Sequence, residues 1–91
     1  MSFLVKFGAH WCQPCKKLDP QLAELVEEHG LEIHDVDVDE ISPELTQEWG
    51  ITGVPALFFH DESGEVFHIA RGAVPPHEIL STFAEAGAEE V

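Results

Sequence analysis

The chain's only two cysteines stand two residues apart in Trp11-Cys12-Gln13-Pro14-Cys15, and no other feature constrains the fold as much. Ahead of them Phe3-Leu4-Val5-Lys6-Phe7 reads as a buried strand. Behind them the apolar period of Leu18, Leu22, Leu25 and Val26 reads as a helix. The pair therefore falls at a strand-to-helix junction, the setting that suits a dithiol redox site. A helix beginning at the first cysteine puts Cys12 at its exposed N-terminus, where partial positive charge and unpaired N–H groups favour a thiolate. Cys15 then lies one turn further in, facing back. One disulfide that opens and closes fits this arrangement. A static disulfide is the plainer alternative, and a zinc site is left incomplete, with two thiols and at most His10 as ligands.

The chain's 91 residues make one small domain, 1–91, with room for a core but not for a core plus an elaborate pocket, so any catalysis belongs at the surface. Eighteen acidic residues against four basic ones give a formal charge of −14, which argues against nucleic acid or anionic membrane as a partner. No stretch is long and apolar enough to span a bilayer. Met1 leads into a strand with no leader-like segment, so the expected location is cytoplasmic. The four cations are Lys6, Lys16, Lys17 and Arg71. All four are placed near the dithiol, unless they fall there by chance on an acidic surface.

The first helix should run from about Gln13 to His29, interrupted by Pro20 and stopped by Gly30. Leu31 to Val38 reads as a second strand with a solvated outer end, because Asp35, Asp37 and Asp39 alternate with its apolar residues. Ser42-Pro43-Glu44 is a helix start, with a hydroxyl cap, proline in the first turn and a carboxylate there, and Gly50 closes that helix. Ala56–His60 and Glu65–Ala70 flank Asp61-Glu62-Ser63-Gly64, a hairpin connection. Pro75 and Pro76 open a last helix through about Glu85, with Ile79, Leu80 and Phe83 inward, and Ala88-Glu89-Glu90-Val91 reads as a frayed tail. The order β-α-β-α-β-β-α implies an α/β fold, a four-stranded mixed sheet flanked by helices. Trp49 and the phenylalanines are read as core, and His29, His34, His60, His68 and His77 as surface.

Trp11-Cys12-Gln13-Pro14-Cys15-Lys16 resembles the active site of the thioredoxin family, and the likeness continues along the chain. Val36-Asp37-Val38-Asp39 is similar to the family's second core strand, Gly50-Ile51-Thr52-Gly53-Val54-Pro55-Ala56 to its cis-proline loop, and Gly64-Glu65-Val66 with Arg71-Gly72-Ala73 to its hairpin and terminal glycine. Only eleven residues precede Cys12, so the chain resembles a shortened member lacking the N-terminal strand and helix. An uncovered sheet edge of that kind invites pairing unless charge prevents it.

The resemblance implies a thioredoxin-like protein-disulfide reductase with Cys12 as nucleophile and Cys15 as resolver. It needs no cofactor or metal, acts on disulfide-containing client proteins, takes electrons from a thioredoxin reductase or similar donor, and is expected as a monomer. It also implies a cis Val54–Pro55 bond packed on the disulfide, with Trp11, Gly53, Val54, Pro55, Gly72 and Ala73 forming a substrate groove. Proline before the second cysteine resembles the reducing members, while Gln13 replaces their usual glycine. Two departures stand out. Lys6 occupies the position of the family's buried aspartate, and Asp35 that of the lysine which partners it in some members, so the pair has exchanged signs. Asp19 adds a carboxylate near the same spot, and Gly8 replaces a larger residue. Lys6 and Asp35 are thus candidates for assisting Cys15, against a purely structural ion pair. His10 is read as an exposed modulator of Cys12. The rivals to this function are a glutathione-dependent glutaredoxin-like enzyme, whose characteristic motifs are missing, and a non-enzymatic redox-sensing module.

Overall fold

The computed structural model describes residues 2–89, with side chains through residue 85. Its elements follow the expected order: β1 (Phe3–Gly8), α1 (Gln13–His29), β2 (Glu32–Asp37), α2 (Pro43–Glu48), β3 (Ala56–His60), β4 (Val66–Arg71) and α3 (Pro76–Glu89). The sheet order is β2-β1-β3-β4. β1 runs parallel to β2 and antiparallel to β3, and β3 pairs antiparallel with β4. A parallel pair needs a crossover, and α1 supplies it.

Strand alternation sorts the side chains into two faces. Leu4 of β1 and Leu57 and Phe59 of β3 meet Leu18, Leu22 and Leu25 of α1 and Ile79 of α3 in the larger core. Val26 was expected on the same stripe but is exposed, because the helix turns it past the edge of the sheet. On the opposite face Phe7, Ile51, Ala56 and Phe58 form a second cluster, with Val5, Val36, Val38 and Ile41 packed around it. Among the described residues only the six-residue α2 crosses this face. Trp49, read as core from sequence, is therefore a half-exposed cover, 42% accessible, with its ring 5.5 Å from Phe7 and 5.6 Å from Phe58.

The local signals are borne out residue by residue. Gly30 ends α1 in the left-handed conformation at φ 65°, its N–H donating to the Val26 carbonyl, a backbone geometry that costs glycine nothing. Ser42 caps α2 by accepting from the Leu45 N–H at 3.2 Å. Pro20 lies within α1 without ending it. α3 continues to Glu89, four residues past the expected end, and of the tail read as frayed, residues 90–91 lie outside the described residues. His60 departs from its surface reading. It is 7% exposed, stacked on Phe3 with ring centroids 4.5 Å apart, and its Nδ1 lies 3.0 Å from the Gly64 carbonyl. No described helix is long and apolar enough to cross a membrane.

Candidate active site

Cys12 is the N-cap of α1, extended at φ −85° and ψ 111°. Gln13 and Pro14 occupy the first two helical positions, and proline has no N–H, so the Cys15 N–H is the orphan donor that points back at the cap. It donates to Cys12 Sγ at 3.2 Å. The two sulfurs are joined as a disulfide, with Cα atoms 5.2 Å apart, a separation within the range one bridge spans. The first turn carries no acidic residue, and the exposed Lys16 and Lys17 follow directly. The helix end is thus electropositive at the sulfur it caps. Cys12 is 4% exposed and Cys15 1%. The expectation of an exposed Cys12 is therefore corrected: in the closed disulfide it packs with Ala9 and Cys15 against Val38 and Val54.

The loop before β3 meets the dithiol from the other side. The Val54–Pro55 bond is cis, Pro55 is fully buried, and Val54 lies in the cluster around the two cysteines. Gly72 donates its N–H to the Pro55 carbonyl at 2.8 Å from a φ of 91°, a region open to glycine, and this fastens the loop after β4 to the proline loop. Gly53 and Ala73 are exposed beside it. Trp11 is 57% exposed, and its indole N–H donates to Asp39 Oδ2 at 2.9 Å. Sequence reasoning missed that anchor, and the signal was available: Asp39 ends the acidic alternation that runs along β2 and past its end.

Beneath the disulfide, Lys6 is 4% exposed. It is ion-paired with Asp19 of α1 and lies 3.1 Å from Asp35 Oδ1 of β2. The parallel register sets Lys6 opposite Asp35, and Asp19 falls one turn beyond Cys15 on the helix packed over them. Burial pulls the Lys6 ammonium towards the neutral amine. Its hydrogen bonds to Asp19 and Asp35, with their charges, outweigh that and hold it above the usual lysine value. An open polar cleft of about 330 Å³, with Asp19, Asp35, Asp37 and Glu40 in its lining, leads from Lys6 to the surface.

The other candidates settle elsewhere. Arg71 donates to the Gly50 carbonyl at 2.8 Å, so it pins the turn after α2, and three cations of the four gather at the dithiol end of α1. His10 is largely exposed, its Nδ1 3.9 Å and 3.8 Å from carboxylate oxygens of Asp37 and Asp39. These three residues bring ligand atoms within 4.8 Å of one another, close enough to share a divalent ion. Asp39 is already engaged by Trp11, and Asp37 Oδ1 accepts from the Asp39 N–H at 2.8 Å.

The family model named Thioredoxin matches residues 1–85. Among curated proteins, the thioredoxin of Pyropia yezoensis is 35% identical over 83 residues, 90% of this chain and 77% of that one. The thioredoxin of Listeria monocytogenes is 38% identical over 78 residues, 84% of this chain and 74% of that one. Among solved structures, oxidised mitochondrial thioredoxin 3 of Saccharomyces cerevisiae has a TM-score of 0.71 at 28% identity, covering 99% of this chain and 78% of its own. The germline-specific thioredoxin Deadhead of Drosophila melanogaster has a TM-score of 0.78 at 23% identity, covering 92% and 79%, and supports the fold.

Proposed function

The chain belongs to the thioredoxin family and is a thiol–disulfide oxidoreductase, and from that premise we propose that it works in the reducing direction, with Cys12 as nucleophile and Cys15 as resolver. The observation that carries the assignment is the asymmetry of the pair. Cys12 Sγ sits at the helix cap and accepts the Cys15 N–H, so charge on that sulfur is stabilised by the helix end. Cys15 lies a turn deeper and almost fully buried.

In the reduced protein the Cys12 thiolate attacks a client disulfide along its S–S axis. A Cys12–client bond forms, and the first client sulfur leaves as a thiolate. Cys15 then attacks Cys12 Sγ, closes the internal disulfide and releases the second client sulfur. Trp11, Gly53, Val54, Pro55, Gly72 and Ala73 form the groove that receives an extended client segment, through main-chain pairing more than side-chain pockets. The support is the meeting of the Val54–Pro55 loop, the Gly72 loop and the dithiol at one end of the sheet. The whole chain, 1–91, acts as one monomeric domain, its acidic surface opposing self-association. The family implies disulfide-containing substrates and a reductase that recharges the dithiol. A reducing compartment such as the cytoplasm suits this direction, because there the dithiol form is maintained.

Reduction of insulin disulfides tests the reading. The chain should precipitate insulin catalytically when a thioredoxin reductase with NADPH supplies electrons. Turnover supported only by glutathione and its reductase would assign the donor to the glutathione system instead, and no turnover with either would leave the dithiol a sensor.

A further inference from the structure

Gly8 ends β1 directly below the disulfide, and its missing side chain leaves space that two other groups occupy. A Cβ built there would lie 2.9 Å from Lys6 Cε, 3.0 Å from Lys6 Nζ and 3.4 Å from Cys15 Sγ. The first separation is closer than real Cβ atoms come and the second is tight, so a side chain at this position would have to push the amine aside. Ammonium and sulfur thus close on one methyl-sized space from two sides, within the range at which a charge moves a neighbour's proton affinity.

The surroundings decide which charge the sulfur experiences. Lys6 and Cys15 are both nearly inaccessible, at 4% and 1%, and Leu57, opposite Lys6 on β3, is apolar and fully buried. The carboxylates that face the amine are Asp19 from α1 and Asp35 from β2, with side chains 49% and 68% exposed. Asp37, Glu40 and His10 stand further along the same open cleft. Water screens exposed charges strongly and buried ones weakly. The cation therefore outweighs the nearby anions at the sulfur.

We propose that Lys6 is a positioning cation for the resolving step, held beneath the dithiol by Asp19 and Asp35, admitted by the bare Cα of Gly8, and stabilising the Cys15 thiolate. The inference rests on the reading that Cys15 resolves the mixed disulfide. In that step Cys15 loses its proton to solvent, and its sulfur lone pair attacks Cys12 Sγ. The Cys12–Cys15 bond forms as the Cys12–client bond breaks, and the client sulfur leaves with the bonding pair and takes a proton from solvent. Over both steps the dithiol loses two electrons and the client disulfide gains them. Lys6 exchanges no proton, since its carboxylate partners keep it charged.

The test is the titration of Cys15 as the sole thiol, in a Cys12→Ser background, by thiolate ultraviolet absorbance and by alkylation rate against pH. Lys6→Met should raise the Cys15 pKa by about one unit, roughly tenfold less thiolate at a given pH below it. Lys6→Arg should keep it nearer the parent. Gly8→Ala removes no charge but pushes the amine aside, and should shift the titration in the same direction by less. A purely structural ion pair would lower the melting temperature in Lys6→Met while leaving the titration unmoved. Unchanged titration in Lys6→Met and Gly8→Ala, or a fall in either, overturns the proposal. If Lys6→Met does not fold, Gly8→Ala alone decides. Because no client or reductase enters this measurement, failed insulin reduction would sink the functional reading without touching the titration, and the converse also holds.

Discussion

Single atoms carry much of what distinguishes this chain, and one of them makes stability depend on pH. In the β3–β4 turn Asp61 Oδ1 accepts the Ser63 hydroxyl at 2.6 Å and the Ser63 and Glu65 N–H groups at 2.9 Å and 3.1 Å. The Ser63 hydroxyl, the largest influence, holds the carboxyl below its ordinary value of 3.8 against the opposing effect of desolvation, with further help from the Glu65, Ser63 and Gly64 N–H groups. A carboxylate whose folded value is depressed contributes stability above its unfolded value, and the contribution disappears as pH falls through the folded one. Asp61→Asn should therefore lower the melting temperature at neutral pH, and the gap from the parent should close in acid well below 3.8. A gap that persists unchanged into acid would mean that the carboxylate charge does not hold the turn. Lys6 runs with the opposite sign: its raised value gives stability that is complete below the unfolded lysine range and disappears only as strongly alkaline pH passes the folded value. At this scale the sequence was only partly legible. The exchange of Lys6 and Asp35 could be read from pattern, but the role of Gly8 could not, because it arises from the Lys6 and Cys15 side chains converging in space. His60 was misread because a histidine beside a turn looks solvated, whereas Phe3, across the β1–β3 ladder, stacks on it and takes it out of water.

Element boundaries were legible wherever the backbone itself demands a residue type. Gly30 stops α1, Ser42 caps α2, and Pro14 sits in the first turn of α1, where a missing N–H removes no helical bond. The Ser42 cap makes a quantitative expectation: Ser42→Ala should cost about 1 kcal/mol, read as a shift in the urea unfolding midpoint with an unchanged slope. No shift would mean that α2, six residues long, draws nothing from its cap. Packing faces were less legible than boundaries. The alternation along β2 puts Ile33 on the face of Asp35 and leaves Val36 on the other, so the strand serves both the Lys6 site and the second core cluster. Trp49 and Val26 were misplaced because a helical or loop position fixes the direction of a side chain, while the elements that lie over it are decided by the whole fold. Among the described residues nothing pairs with the outer edge of β2, and Leu45 and Trp49 stay half exposed over the second cluster.

At the scale of the molecule, the sheet brings sequence-distant pieces to one end. β1 delivers Lys6 and Gly8, the β1–α1 junction Trp11 and Cys12, the loop before β3 Val54 and Pro55, and the turn after β4 Gly72. The motif order along the chain foretold this gathering, since a parallel β1–β2 pair with an antiparallel β3–β4 hairpin leaves one end of the sheet for all four connections. Against a net charge of −14, Lys6 lies beneath the disulfide with Asp19 and Asp35 as partners, and the exposed Lys16 and Lys17 follow Cys15 along α1. The central claim is the division of labour between the cysteines, and trapping of a mixed disulfide tests it most directly. Reduced Cys15→Ser, offered a disulfide-bonded protein such as insulin, should accumulate a covalent adduct through Cys12 that dithiothreitol releases, while Cys12→Ser should accumulate none. A stable adduct in Cys12→Ser, or faster alkylation of Cys15 than of Cys12 in the reduced wild-type chain, would contradict the assignment.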